Sequence, residues 1–149
     1  MREAAIAIVD DDDDVRDALC SVIRQQGMTT KEFESAEDLL RRLYRDHVGL
    51  RIANSPQFKS DGRDADTVLF GAVIDIGLPG INGAQLARHL RSLSPSLPIL
   101  VVTAFAGGEL DQYVTGMEGV SLVQKPFELH ALLDAFIKSQ DIGLVSHDI

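Results

Sequence analysis

Residues 68–74, Val-Leu-Phe-Gly-Ala-Val-Ile, make an apolar run that stops at Asp75 and is followed by the turn signal Leu78-Pro79-Gly80. A run this short and continuous reads as a strand buried on both faces, the mark of a parallel sheet covered by helices. An acid at the carboxyl end of such a strand lies on the rim where open α/β folds bind their ligands. Taken alone, Asp75 reads better as the first residue of a polar loop, because many strands end in Asp. The rest of the chain decides between the two.

The same grammar recurs from end to end. Residues 6–9 read as a strand, followed by five consecutive aspartates, Asp10 to Asp14. Val15, Ala18, Leu19, Val22 and Ile23 then give the apolar face of a helix, with Gly27 as its C-terminal cap. Asp12 to Asp14 suit the start of that helix, where capping and the dipole favour acids, which leaves Asp10 and Asp11 at the strand end. Residues 29–33 read as a second strand. Ser35 reads as the N-cap of a helix carrying Leu39, Leu40, Leu43 and Tyr44 on one face, with Arg41, Arg42 and Arg45 late in it.

Between residues 46 and 67 the periodicity fails, and Asn54-Ser55-Pro56 and Asp61-Gly62 signal turns, so this stretch reads as an inserted loop. After Asp75, Leu86, Ala87, Leu90 and Leu93 mark a third helix, stopped by Pro95. Residues 98–103 form the next strand, ending in Thr103. Residues 107–119 make a poor helix containing Gly116, which costs about 1 kcal/mol relative to Ala. Residues 120–123 are the last strand, ending in Gln124-Lys125-Pro126-Phe127. Leu129, Leu132, Leu133, Phe136 and Ile137 mark the closing helix. Five strands alternating with five helices predict a doubly wound α/β fold with a parallel sheet and helices on both faces. Residues 1–140 read as one domain, and residues 141–149 as a tail or the start of a linker.

Composition narrows the function. The chain has 149 residues, enough for one domain with a real core, and 45% hydrophobic with 25% charged residues is ordinary for a globular protein. A net charge of -9 disfavours both a nucleic-acid surface and anionic lipid. The single cysteine, Cys20, has no internal disulfide partner, which fits a reducing cytosol. The apolar run at residues 4–9 is too short for a signal peptide or a membrane span. The expectation is therefore a cytoplasmic protein binding neither nucleic acid nor membrane.

Four strands end in residues that can do chemistry together: Asp10 with Asp11, then Asp75, Thr103 and Lys125. Parallel strands bring these ends to one edge. Three carboxylates brought together repel, and a divalent cation relieves the repulsion. Oxygen ligands without His or Cys point to Mg2+, which keeps waters that a phosphate can replace. Asp75 then reads as a nucleophile toward phosphorus, with Mg2+ on Asp11 and Asp75. Lys125 neutralises the phosphoryl group from the other side, and the Thr103 hydroxyl donates to it. The four histidines, His47, His89, His130 and His147, show no ligand spacing, and the glycines form neither a Walker nor a dinucleotide loop.

Through Ile8-Val9-Asp10-Asp11, Asp75 with Leu78-Pro79-Gly80 and Gly83, Thr103-Ala104, and Lys125-Pro126-Phe127, the sequence resembles the receiver domain of two-component response regulators, the CheY-like superfamily. The resemblance runs over residues 4–138. It implies a flavodoxin/CheY-like five-stranded sheet in the order 2-1-3-4-5, with Asp75 as phosphoacceptor from the phosphohistidine of a histidine kinase or a phosphotransfer protein. It also implies Asp11, Asp75 and the Gly77 backbone carbonyl as Mg2+ ligands, Asp10 acting through water, and Thr103 and Lys125 on the phosphoryl group. The Lys125-Pro126 bond is expected to be cis. Phosphorylation is expected to shift a pre-existing equilibrium of the surface formed by helix 4, strand 5 and helix 5, a surface that also serves homodimers. Such a domain is a signalling device rather than an enzyme with a turnover substrate, and occurs either alone or as part of a longer regulator.

The chain departs from that family in three places. These are the insertion at residues 46–67, Leu122 where receivers often carry an aromatic switch residue, and the glycine-containing helix near residues 108–117. Gly77 and Phe105, two residues beyond Asp75 and Thr103, stand where the family tunes loss of the phosphoryl group; glycine orients no water and Phe105 shields phosphorus, so slow autodephosphorylation is expected. Two rivals remain. A haloacid-dehalogenase-type Mg2+ phosphatase would use Asp11-x-Asp13 with Thr103 and Lys125. It leaves Asp75 unexplained and needs a later acidic strand end, for which only Asp134 and Asp141 are available. A degenerate receiver would bind partners without phosphorylation, against which the complete residue set argues.

Overall fold

The computed structural model describes residues 3–44, 49–53, 55, 67–103, 114 and 120–124. Among them run β1 (Glu3–Val9), α1 (Asp13–Gln25), β2 (Thr30–Phe33), α2 (Ala36–Tyr44), β3 (Leu50–Ile52), β4 (Thr67–Asp75), α3 (Gly83–Leu93), β5 (Ile99–Thr103) and β6 (Val120–Gln124). All strand pairs are parallel, in the order β2-β1-β4-β5-β6, with β3 paired to β4 off this path. With β3 set aside, this is the expected 2-1-3-4-5 order.

The sheet alternates between two apolar layers, as the two-residue period of a strand requires. Ala5, Ala7 and Val9 of β1, with Ala72 and Ile74 of β4 and Ile99 and Val101 of β5, face the layer under α2 and α3. Ile6 and Ile8, with Val73, Leu100 and Val102, face the layer under α1. Strands buried on both faces explain why β1, β4 and β5 read as continuous apolar runs.

Some elements differ from expectation. The stretch between residues 46 and 67 is not all loop: β3 runs beside the start of β4, with Leu50 opposite Thr67 and Ile52 opposite Leu69. It occupies the side of β4 that β5 takes further along, since β5 pairs β4 only from Ala72 to Asp75. The register of β1 on β4 shifts between Ala5 and Ile6, which lie opposite Leu69 and Gly71. Phe70 is therefore an extra residue, a β-bulge that inverts the inward-facing parity along β4. Leu69 and Ala72 consequently share one layer although three positions separate them.

The α1 face is also turned from the expected one. Leu19, Cys20, Val22 and Ile23 are buried, whereas Ala18 is exposed. In α2, Leu39 and Leu43 are buried with Ala36, whereas Tyr44 is 44% exposed. In α3 all four expected residues, Leu86, Ala87, Leu90 and Leu93, are buried. Burial pushes the Cys20 thiol up from its ordinary value, in keeping with a structural rather than reactive cysteine. The expected closing helix, most of residues 107–119, residues 104–106, the 125–126 peptide bond and the tail lie outside the described residues. Of these segments only Val114 is described, and it is helical and buried.

Candidate functional site at the carboxyl rim of the sheet

β1 ends at Val9, level with Ile74 of β4, so Asp10 and Asp75 leave the sheet side by side. The Asp10 amide donates to the Phe33 carbonyl of β2 (3.2 Å), and Arg16 of α1 donates to the Asp10 carbonyl (2.7 Å). The Asp10 carboxylate, 0% exposed, accepts the Asp12 amide (2.9 Å). Asp12 is in turn the N-cap of α1 and accepts the amides of Asp14 and Val15. The five aspartates thus divide as expected. Asp12 to Asp14 serve the helix start, where Asp12 satisfies orphan amides and Asp13 and Asp14 suit the dipole, and Asp10 and Asp11 face the rim.

Carboxylate oxygens of Asp10, Asp11 and Asp75 all lie within 4.8 Å of one another. Asp10 is buried, Asp75 half-buried and Asp11 exposed, so the cluster opens toward solvent through Asp11. No histidine or cysteine joins it among the described residues. An all-oxygen set of this kind suits a hard divalent cation, and its mutual repulsion is what a cation would remove.

Thr103 closes β5 and is 4% exposed. It lies one residue beyond Val102, which pairs with Asp75, and so on the same edge. Gln124, the last residue of β6, pairs with Thr103. Lys125 follows Gln124 in sequence and lies outside the described residues, as does Phe105. Leu122 of β6 pairs with Val101 of β5 and is 39% exposed.

The loop after Asp75 is built by close approach. The Asp75 carboxylate accepts the Gly77 amide (3.1 Å), and the Gly83 amide donates to the Ile76 carbonyl (3.1 Å). A Cβ at Gly83 would overlap the Asp75 carbonyl oxygen and lie 2.6 Å from the Ile76 Cα. Only glycine lets α3 start this close to the strand end. Asn82 caps α3 in a capping box with Gln85: the Asn82 side chain accepts the Gln85 amide (2.9 Å), and the Gln85 side chain accepts the Asn82 amide (3.0 Å). Gly80 adopts a left-handed φ of 72°.

Four residues here escaped the sequence reading. Glu37, in the first turn of α2, accepts the Ile81 amide (2.9 Å) across 44 residues of sequence. That bond holds the Glu37 carboxyl below the usual carboxylate range. Such a contact has no local signature. Arg16 binds Glu32 (3.3 Å) and Asp13 besides the Asp10 carbonyl; its three-residue spacing from Asp13 was the available hint. The Asn82–Gln85 pair was legible as an N-x-x-Q start signal.

The family model for the response regulator receiver domain matches residues 60–137, just over half of the chain. The chain is 31% identical over 133 residues to the response regulator protein FleR of Pseudomonas aeruginosa, covering 88% of this chain and 23% of FleR. It is 36% identical over 109 residues to the two-component response regulator PhoP of the same organism, covering 64% of this chain and 48% of PhoP. It therefore spans a quarter to a half of these relatives. Among solved structures, the response regulator TrrA of Thermotoga maritima, in complex with Mg(2+)-BeF, superposes with a TM-score of 0.65 at 21% identity, covering 93% of this chain and 99% of that one.

Proposed function

The chain belongs to the response regulator receiver family, and from that premise we propose that Asp75 is the phosphoacceptor of a Mg2+-dependent two-component relay in the cytoplasm. The convergence of Asp10, Asp11 and Asp75 within 4.8 Å is the observation that carries this reading. The donor is the phosphohistidine of a histidine kinase or phosphotransfer protein. An Asp75 carboxylate oxygen attacks phosphorus, the new O–P bond forms as the N–P bond breaks, and the histidine nitrogen leaves with the electron pair.

Asp11, Asp75 and the Gly77 carbonyl would hold Mg2+, with Asp10 acting through water; the bound cation supplies neutralisation of phosphoryl charge. The Mg(2+)-BeF complex of TrrA supports this ligand class by analogy. Asp10, fixed by the Asp12 amide and itself buried, orients the acidic pair. The Thr103 hydroxyl and the Lys125 ammonium meet the phosphoryl oxygens from the β5 and β6 side. The acyl phosphate then biases two surface states by a few kcal/mol of differential interaction, which a partner or a second copy reads on the surface formed by β6 and the helices expected before and after it. Signalling output, rather than turnover, is the product.

Acetyl phosphate with Mg2+, compared with the same mixture in chelator, tests the reading. Uptake of one phosphoryl group per chain that requires Mg2+, without sustained para-nitrophenyl phosphate turnover, is expected. Sustained turnover from Asp11 would transfer the site to a phosphatase.

A further inference from the structure

The loop that follows Asp75 contains two glycines, and glycine-rich backbone loses more conformational freedom on ordering than any other. A ligand set partly supplied by such a loop needs outside support if it is to be preorganised. The β4–α3 loop is tied at its ends by Gly77 to Asp75 and by Gly83 to Ile76. Glu37 supplies a hydrogen bond that reaches its outer arc from another element, at the Ile81 amide.

Gly80 is part of the same contact. Its left-handed φ directs the position of a missing Cβ onto the Glu37 carboxylate, 3.2 Å from the carboxyl carbon. Absence of a side chain at residue 80 therefore makes room for the carboxylate, and the carboxylate occupies the space. Glu37 itself is fixed in the first turn of α2, next to Asp38, whose amide donates to Ser35 (2.9 Å). The other end of α2 is also tied to the unit after Asp75, through the Tyr44 hydroxyl and His89 Nε2 of α3 (2.7 Å). The helix is thus tied both to the loop that leaves the acidic rim and to the body of α3.

We propose that Glu37 is a positioning residue: by holding Ile81 and filling the space left by Gly80, it preorganises the Asp75–Ile81 loop so that the Gly77 carbonyl and Asp75 face the cation together. The metal half of this inference rests on the receiver reading above; the loop-ordering half does not.

The test compares wild type, Glu37→Ala, Glu37→Gln and Asp75→Asn by two readouts. Amide hydrogen exchange of the metal-free protein should show Ile81 exchanging about threefold or more faster in Glu37→Ala, with Leu86 and Leu90 of α3 unchanged; a charge-assisted bond at an exposed site has about that weight. Calorimetric Mg2+ titration should show a weaker Kd for Glu37→Ala by a similar factor. Glu37→Gln keeps both the length of the side chain and a carbonyl acceptor and should recover most of both effects; Ile81 exchange as fast in Glu37→Gln as in Glu37→Ala would overturn the hydrogen-bonding role. Unchanged Ile81 exchange in Glu37→Ala overturns the inference. Faster exchange with unchanged Mg2+ affinity overturns its metal half. If wild type itself binds no Mg2+, or Asp75→Asn binds as well as wild type, the receiver reading falls and takes the metal half with it, while the exchange result still decides the loop-ordering half.

Discussion

The two ends of β4 are held in opposite ways. At its start, Thr67 to Leu69 are gripped by strands on both sides, β1 and β3, and the Leu69 side chain is buried in a layer of apolar groups. At its end, Asp75 emerges among glycines and backbone amides, and its surroundings are fixed by side chains accepting from main-chain N–H groups. The bulge at Phe70 separates the two regions, so the added strand at the base leaves the alternation from Gly71 to Asp75 in phase with β1. An insertion can therefore enlarge the base of the sheet without moving the rim. Apolar packing runs along the whole strand, with Val73 and Ile74 as buried as Leu69, and only the rim end adds chemistry to it.

That contrast makes separable demands. Leu69→Ala removes a fully buried side chain at the base and should cost about 3 kcal/mol in urea unfolding. Its phosphoryl uptake at saturating acetyl phosphate should stay within a factor of about two, measured well below the unfolding midpoint. A lost uptake rate in folded Leu69→Ala would break the contrast. Gly83→Ala, at the rim, should cost less in stability, about 2 kcal/mol, because a Cβ pressed on Asp75 and Ile76 backbone forces α3 outward. Unlike Leu69→Ala it should also slow uptake, since the displaced atoms belong to the phosphoacceptor itself.

The smallest effect is on acidity. Because the Ile81 amide keeps the Glu37 carboxyl below its ordinary value, the contact contributes fully above the unfolded carboxylate range. It is lost only as pH falls through the lowered folded value. Ile81 protection, corrected for intrinsic exchange, should be flat at neutral pH and fall in acid below the usual Glu range. The fall should be absent in Glu37→Gln.

The rim was readable in the sequence because each of its parts is local. A strand end, an acid and a turn signal sit within a few residues of one another, and parallel topology alone then gathers Asp10, Asp75 and Thr103 on one edge. The base was not readable for the same reason in reverse. Leu50-Arg51-Ile52 is too short to carry a period, and the Phe70 bulge is invisible inside a run in which every residue is apolar. The α1 stripe was half readable: Leu19, Val22 and Ile23 fix the helix, but Cys20 rather than Ala18 completes the buried face, because the stripe sits further round the helix. Glu37 illustrates the remaining limit. Its partner lies 44 residues away, and no spacing rule joins an exposed acid on one helix to a loop amide after a different strand.

The most direct measurement is intact-mass spectrometry of wild type and Asp75→Asn side by side after acetyl phosphate and Mg2+. The account predicts one added phosphoryl group on the wild-type chain, mapped to Asp75, and none on a variant that remains folded. An equal gain on Asp75→Asn, or a phosphoryl group mapped to Asp11 or Asp13, would contradict it.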